Sequence, residues 1–376
     1  MKKVNEATKM KKIEIITLNR IVNYGSVLQT FALQKKIEDL GYEAEVIDYF
    51  PERMTMMGML KRIKGKNKIL KKPLFYTIAR ILMIPSYIKR FSIFNKFNKK
   101  YINLTNIQYH TDDDFINHPL DADAFCTGSD QTWNSDWNEG ITLPFYLNFT
   151  EKYKFSYAAS FGKSKISEEE GIQIKDYLNK YSKLSVRESS GVEILSNLGL
   201  YSYHVLDPTL ILGRDKWSAL ASTKYERKKY ILMYNLNRNT RLREYAEKIS
   251  KKNNLKLIYI TYNFIDVFHK GKMACNISVE DFVSLIKNAS LVLTDSFHAT
   301  AFSLIFKRNF YIVYPQKFST RLQSILQLTH LENRVANTMD EIDLNNTINY
   351  EEVDELLLPE VELSIDYLQT SLKGIK

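Results

Sequence analysis

Along nearly the whole chain, short apolar runs alternate with stretches whose apolar residues return every three or four positions. The first habit is that of a buried strand, and the second that of a helix with one face turned inward. Strands and helices taken in turn lead to a mostly parallel sheet covered on both faces. In the first half the expected strands are Ile13–Leu18, Glu43–Tyr49, Ala122–Thr127, Phe155–Ser160 and Leu184–Arg187. The first expected helix is Ser26–Leu40, with Gly41 as its stop. The second half repeats the style, with strands at Tyr230–Tyr234, Leu255–Thr261, Leu291–Thr294 and Phe310–Val313. Its helices are expected over Thr240–Lys251, Ser278–Ala289, Phe297–Phe306 and Thr320–Leu328. The pattern predicts an α/β protein of two Rossmann-like domains facing a central cleft. Residues 1–210 form the first domain and 225–376 the second, joined near Ile211–Arg227. The last helix is a candidate to pack back on the N-terminal domain. In this architecture ligands sit at the carboxyl ends of the strands.

Composition narrows the classes. A chain of 376 residues, 44% hydrophobic and 26% charged, has the balance of a globular protein rather than a disordered one. Cys126 and Cys275 are too few for a disulfide framework or a zinc site of their own. No apolar run approaches the ~20 residues of a membrane span. The basic start MKKVNEATKMKK is followed only by the short run Ile13–Leu18, unlike a signal peptide, so a reduced, cytoplasmic protein is expected.

The net charge of +10 is unevenly spread. Residues 51–100 carry fourteen Lys and Arg against the single acid Glu52, so this segment stands at +13 and the rest of the chain at −3. Its cations interleave with Met54, Leu60, Phe75, Ile81, Leu82, Phe91, Phe94 and Phe97. Pro73 and Pro85 are expected to break this basic insert, at about 51–102, into short helical pieces. Such pieces suit the surface of an anionic bilayer, which would make the protein peripheral at the inner face of the plasma membrane. They suit equally well a helical insertion packed on its own domain. No DNA- or RNA-binding motif accompanies the charge, so nucleic acid is not expected as a partner.

Four strand-to-helix turns hold residue types that carry chemistry. In Asn23-Tyr24-Gly25-Ser26, Gly25 lets the backbone approach a ligand, the following helix start suits an anion, and Gln29 lies one turn on. This turn is also simply what an Asn-capped helix needs. In Gly128-Ser129-Asp130-Gln131, Asp130 is a candidate base toward a hydroxyl, or a helix cap. Arg187 ends a buried strand, where a guanidinium must meet an anion or a carboxylate such as Glu188. In Thr294-Asp295-Ser296-Phe297-His298, the histidine sits in a first helical turn, where the positive helix end disfavours its protonation unless a bound anion reverses that. No HxxxH pair occurs, so no metal is expected.

Taken in order, these turns resemble the polysaccharide pyruvyl transferase family. The matching stretches are NYGSVLQTFALQKKIEDL from Asn23, FCTGSDQTW from Phe125, FSYAASFG from Phe155, SVRESSG from Ser185, VLDPTL from Val205 and TDSFHATAF from Thr294. The segment Arg321–Arg334, beginning RLQSIL, resembles the family's closing part. The resemblance implies a GT-B-like fold, phosphoenolpyruvate as donor, no cofactor, and as acceptor a sugar within a surface glycan or its lipid-linked precursor. It implies a pyruvate ketal as product. Family members bind the donor with arginines and use the histidine of an Arg-Leu-His turn. Here that turn reads Ser296-Phe297-His298, so the His matches and the Arg does not.

On this reading His298 is a general acid or phosphate partner, Arg187 an anion clamp, and Asp130 or Asp295 a base toward the acceptor. Asn23, Tyr24, Gly25, Gln29, Gly128, Ser129, Gln131, Ser296, Phe297 and Arg321 shape the substrate site. Two rivals share the same architecture: a GT-B glycosyltransferase using a nucleotide sugar, and a non-catalytic protein that binds a glycan or an anionic lipid.

Overall fold

The computed structural model describes residues 10–62, 73–315 and 320–375. Lys64, Lys66, Lys68, Lys71 and Lys72 of the basic insert lie outside the described residues, as does the basic start of the chain before Met10. The N-terminal sheet contains β1 (Lys12–Ile16), β2 (Glu43–Tyr49), β3 (Leu104–Tyr109), β4 (Ala124–Thr127) and β5 (Lys154–Ser156) in the order β3-β2-β1-β4-β5. Every pairing in it is parallel. A short parallel pair follows, β6 (Ser185–Val186) and β7 (Tyr203–His204). The C-terminal sheet contains β8 (Tyr230–Tyr234), β9 (Lys256–Thr261), β10 (Lys272–Cys275), β11 (Leu291–Thr294) and β12 (Phe310–Ile312) in the order β10-β9-β8-β11-β12, again all parallel.

Both sheets thus share one topology, and each reverses direction beside its first strand. Parallel strands need crossovers, which put helices over both faces and bury the strands completely. Accordingly β4, β8 and β11 are buried at every residue. The points of reversal lie between β1 and β4 and between β8 and β11. A topological switch point opens a crevice at the carboxyl ends of its strands. The two crevices face each other across the cleft.

Several elements depart from the expected boundaries, and for two of them the local cause is plain. The first helix begins at Tyr24, two residues early, because the Asn23 side chain accepts a hydrogen bond from Gly25 N at 2.8 Å and caps it. The strand expected over Phe155–Ser160 stops at Ser156, because Ala158 turns left-handed at φ +53° and breaks the pleat. Ala159 resumes bridging, to Asp130 on one side and Val186 on the other, and so carries the site's loops into the sheet.

The basic insert is corrected more deeply. Pro85 does not divide it: one helix runs over Pro73–Tyr101 with Pro85 inside, while Pro73 stands at that helix's first position and the short helix Met56–Lys61 precedes it. Proline is well tolerated in a first turn. Pro85 removes one internal hydrogen bond on the exposed side of the helix, where Ile81 and Leu82 are 59% and 69% exposed, a side on which solvent can take the place of a lost donor. The later part packs inward, with Phe94 and Phe97 in the main core. The C-terminal helix, Tyr350–Lys373, spans both lobes. Its start is joined to the C-terminal lobe by Tyr350 Oη, which donates to Arg308 O at 2.6 Å. Further on, Tyr367 Oη donates to Ser156 O at 2.9 Å, and Ser364 Oγ accepts from Leu206 N at 2.8 Å. No helix among the described residues is long and apolar enough to cross a membrane.

Candidate active site

The loops at the two switch points enclose a cleft of about 320 Å³. Asn23 and Ser26 reach it from the turn after β1, and Asp130 and Gln131 from the turn after β4. From the other lobe come Leu236 and Asn237 after β8, and Asp295, Ser296, Phe297 and His298 after β11. Arg321 closes one end, and Trp137 stands on the N-terminal wall.

Behind the N-terminal wall lies a buried ionic knot. The Arg187 side chain is fully buried, and its guanidinium donates to Asp207 Oδ2 at 2.7 Å and to Asp130 Oδ1 at 3.0 Å. Its Nε lies 4.0 Å from Glu188, whose other oxygen accepts from Ser160 Oγ and the Phe161 and Gly162 amides. Ser129 Oγ donates to Asp207 Oδ2 at 2.8 Å, and Ser26 Oγ to Asp130 Oδ2 at 2.6 Å. Asp207 also caps the short helix after it through Thr209. Asp130 adopts φ +78°, a left-handed conformation that a side chain tolerates only when neighbours hold it there.

Two expected roles are therefore corrected. Arg187 is not a clamp open to a ligand, because both terminal nitrogens are committed to carboxylates and the side chain does not reach the cleft. Asp130 is a poor base: burial alone would raise its pKa, but Arg187 and Arg321 overcome that and hold it well below the usual carboxylate range. Asp207, which the sequence analysis quoted without a role, is the third member. In the sequence it shows only as an acid in front of a proline.

The C-terminal wall carries the titratable groups that remain available. His298 lies in the first turn of the helix Phe297–Ile305, capped by Ser296. Its Nε2 is 3.8 Å from Asp207 Oδ2, beyond hydrogen-bond reach, and has no hydrogen-bond partner among the described residues. Burial pushes its pKa down from 6.5 to about 4, against the pull of Asp207 and Asp130. The imidazole packs on Gly25, where a Cβ would overlap the ring. Gly25 therefore serves as the seat for His298 rather than as a ligand contact. Arg321 Nη1 is 3.9 Å from Asp130, and its Nε has no hydrogen-bond partner among the described residues. Burial and then Arg187 lower its pKa to about 10, so it remains a cation at neutral pH. Phe297 stacks over the Arg187 guanidinium, 5.1 Å from ring centre to Cζ, and closes the knot from above. Asp295 lines the cleft, but its carboxylate accepts from Leu236 N at 2.7 Å and Asn237 N at 2.9 Å and so shapes the facing loop. Burial raises its pKa against those hydrogen bonds.

Four further expected contacts stand behind the walls. Tyr24 is buried between Phe282 and Tyr262, with centroids at 4.4 and 5.3 Å, and joins the lobes. Gln29 donates to Thr17 Oγ1 and Ser26 O inside the N-terminal lobe. Gly128 lies against Thr17, Ile15 and Leu33, and Ser129 belongs to the knot. Asn23, Gln131, Ser296, Phe297 and Arg321 do line the cleft. Trp137, Leu236 and Asn237 were missed, since nothing in their local sequence marks them. Among the described residues no group of His, Cys, Asp and Glu could hold a metal ion.

A family model, polysaccharide pyruvyl transferase, matches residues 23–317. The chain belongs to the polysaccharide pyruvyl transferase family. As a pyruvyl transferase it is an enzyme of polysaccharide biosynthesis, with a glycan as acceptor. No curated protein matches the sequence. Among solved structures, this transferase is similar to a chain described as a UDP-N-acetylglucosamine 2-epimerase from Listeria monocytogenes, at 12% identity and TM-score 0.55 over 97% of this chain and 96% of that one. It is also similar to the MnaA–UDP structure from S. aureus, at 13% identity and TM-score 0.51 over 96% and 91%. At such identities the likeness concerns the fold, which is GT-B-like.

Three outcomes follow from this geometry. Arg187→Met leaves two buried carboxylates uncompensated and should cost about 3–5 kcal/mol in urea denaturation, whereas a ligand clamp would cost little stability. Between pH 6.5, where an unfolded histidine titrates, and about 4, the unfolded state binds a proton that buried His298 does not. Stability should therefore fall as pH drops through that window, by up to on the order of 3 kcal/mol, and His298→Gln should remove that share of the slope in denaturation curves. Gly25→Ala should displace the ring toward solvent and move the His298 titration, followed by NMR, upward from about 4 toward 6.5.

Proposed function

We propose that this transferase moves the pyruvyl group of phosphoenolpyruvate onto two hydroxyls of one sugar, in a surface polysaccharide or its lipid-linked precursor, leaving a pyruvate ketal. The observation that supports this reading is the pair of buried donor atoms, His298 Nε2 and Arg321 Nε, both unpartnered among the described residues at one cleft. Buried polar atoms normally find partners, and a doubly anionic donor would supply them. The starts of two helices, at Tyr24 and Phe297, add positive ends on opposite walls. Arg321 takes the place of the arginine that Ser296 replaces in the family's Arg-Leu-His turn.

In this mechanism His298 is neutral in the free protein. The incoming negative charge favours its imidazolium form, which then protonates the donor's methylene carbon to a methyl group. The central carbon takes on oxocarbenium character and is attacked by the first sugar hydroxyl. The carbon–oxygen bond to phosphate breaks, and the second hydroxyl closes the ketal. Of the two hydroxyl protons, one restores His298 and the other leaves with inorganic phosphate. Asp295 is better suited than Asp130 to relay a hydroxyl proton, because burial raises its pKa where the knot lowers that of Asp130. Trp137 offers the acceptor ring an apolar face. An acceptor carried on a lipid would be met at an anionic membrane surface.

Phosphoenolpyruvate should raise the melting temperature, and its affinity should weaken as pH rises from about 4, where free His298 titrates, because binding takes up a proton at His298. His298→Ala should keep the fold and cut phosphate release, with an envelope glycan as acceptor, by about 10² or more. Stabilisation by a nucleotide sugar but not by phosphoenolpyruvate would move the reading to glycosyl transfer. A response to glycan alone would make this a binding protein.

A further inference from the structure

One exposed face of the basic helix is apolar at its beginning and cationic at its end. Ile78, Ile81, Leu82 and Ile88 are 46, 59, 69 and 56% exposed, and Pro85 between them is exposed too. Their spacing of three and four residues places all five on one stripe. Continuing the same stripe at helical spacing come Lys89, Lys96 and Lys99, all exposed.

The stripe cannot be an inward face in search of its core, because the opposite face of the helix is already occupied. Ser86 Oγ donates to Tyr262 O, and Asn276 Nδ2 donates to Ser86 O at 3.2 Å. Arg90 donates to Val22 O at 2.8 Å and lies 3.7 Å over the Tyr262 ring. Phe94 and Phe97 are buried, and Asn98 Nδ2 donates to Asn19 O at 3.1 Å. The helix is therefore held to both lobes, with its apolar stripe turned outward.

A second apolar outcrop adjoins it on the C-terminal lobe. In the turn Phe264–Phe268, Phe264, Val267 and Phe268 are 37, 55 and 87% exposed. Lys89 Nζ lies 5.7 Å from the centre of the Phe264 ring and joins the two patches. Exposed apolar side chains gathered beside cations mark an interaction surface rather than scattered surface residues.

We propose that this two-lobed surface docks on an anionic lipid bilayer. Ile81, Leu82, Ile88 and Phe268 enter the boundary between headgroups and acyl chains, and Lys89, Lys96 and Lys99 meet lipid phosphates. A bilayer surface offers apolar depth and negative charge in one plane, matching a helix that changes from apolar to cationic along one face. The docking has a functional corollary. Val22, which Arg90 holds, directly precedes Asn23 of the cleft, so the docked helix brings the cleft wall to the membrane, where a lipid-borne acceptor would lie. This corollary rests on the reading of the cleft as a transferase site, while the docking itself does not.

Flotation of the full-length protein with vesicles tests the surface. Binding to phosphatidylcholine–phosphatidylglycerol vesicles should exceed binding to phosphatidylcholine alone by about tenfold or more and weaken with added salt. The double substitution Ile81→Glu, Leu82→Glu should lower binding about tenfold or more, and Phe268→Ser should lower it less, with melting temperatures unchanged. Equal binding to both vesicle types, or wild-type binding by the double variant, would overturn the proposal. A concentration-dependent dimer that the double variant abolishes, without vesicle binding, would overturn it in favour of a second copy of the chain. Phosphate release with a soluble acceptor should be the same in wild type and double variant, so failed docking and failed transfer are read separately.

Discussion

A guanidinium sealed inside a protein is tolerated only when carboxylates meet it in good geometry, and the fold around the cleft is organised by that demand. Arg187 follows one strand, Asp130 another, and Asp207 stands at the crossing to the second lobe. None of the three would keep its position alone: removal of either charge sign would strand the other in a low-dielectric interior. Held together, they force the loop after β4 into the left-handed turn at Asp130 and draw Ser26 and Ser129 into the same network. The N-terminal wall of the cleft is the outer surface of this knot.

The knot also sets the chemistry of the opposite wall. It uses Arg187 internally, so among the described residues the guanidinium that lines the cleft is that of Arg321. It places Asp207 near His298 without bonding it, while burial keeps the imidazole neutral. In the proposed mechanism, ligand charge would arrive at a site whose acid is not yet protonated, coupling binding to proton uptake. Gly25 completes the arrangement by leaving room for the ring to cross from one lobe to the other.

Separate contacts hold the lobes in register. Tyr24 stacks between Phe282 and Tyr262, and its hydroxyl donates to Ile277 O at 3.0 Å. The basic helix bonds to Val22 and Asn19 on one side and to Tyr262 and Asn276 on the other. The C-terminal helix spans the far side. A residue such as Tyr24, drawn from a turn that looks made for a ligand, is here an inter-lobe fastener.

Much of this was legible along the chain. Alternating apolar periods announced the repeated parallel sheets, since period two and period 3.6 follow from backbone geometry within a few residues. The turns after β1, β4 and β11 were visible because strand ends in such sheets collect polar residues and small hydroxyls. His298 and Asp295 could be named for that reason. What the line of residues left open was direction. Whether Arg187 faced a ligand or a carboxylate depended on Asp207, twenty positions away, and whether Pro85 broke its helix depended on which side met water. Trp137, Leu236 and Asn237 became wall residues only when two lobes closed on each other. Local covalent preference writes the elements, but partner choice among buried charges is a contest between distant groups. Only folding brings those groups within the few ångströms over which desolvation and ion pairing are decided.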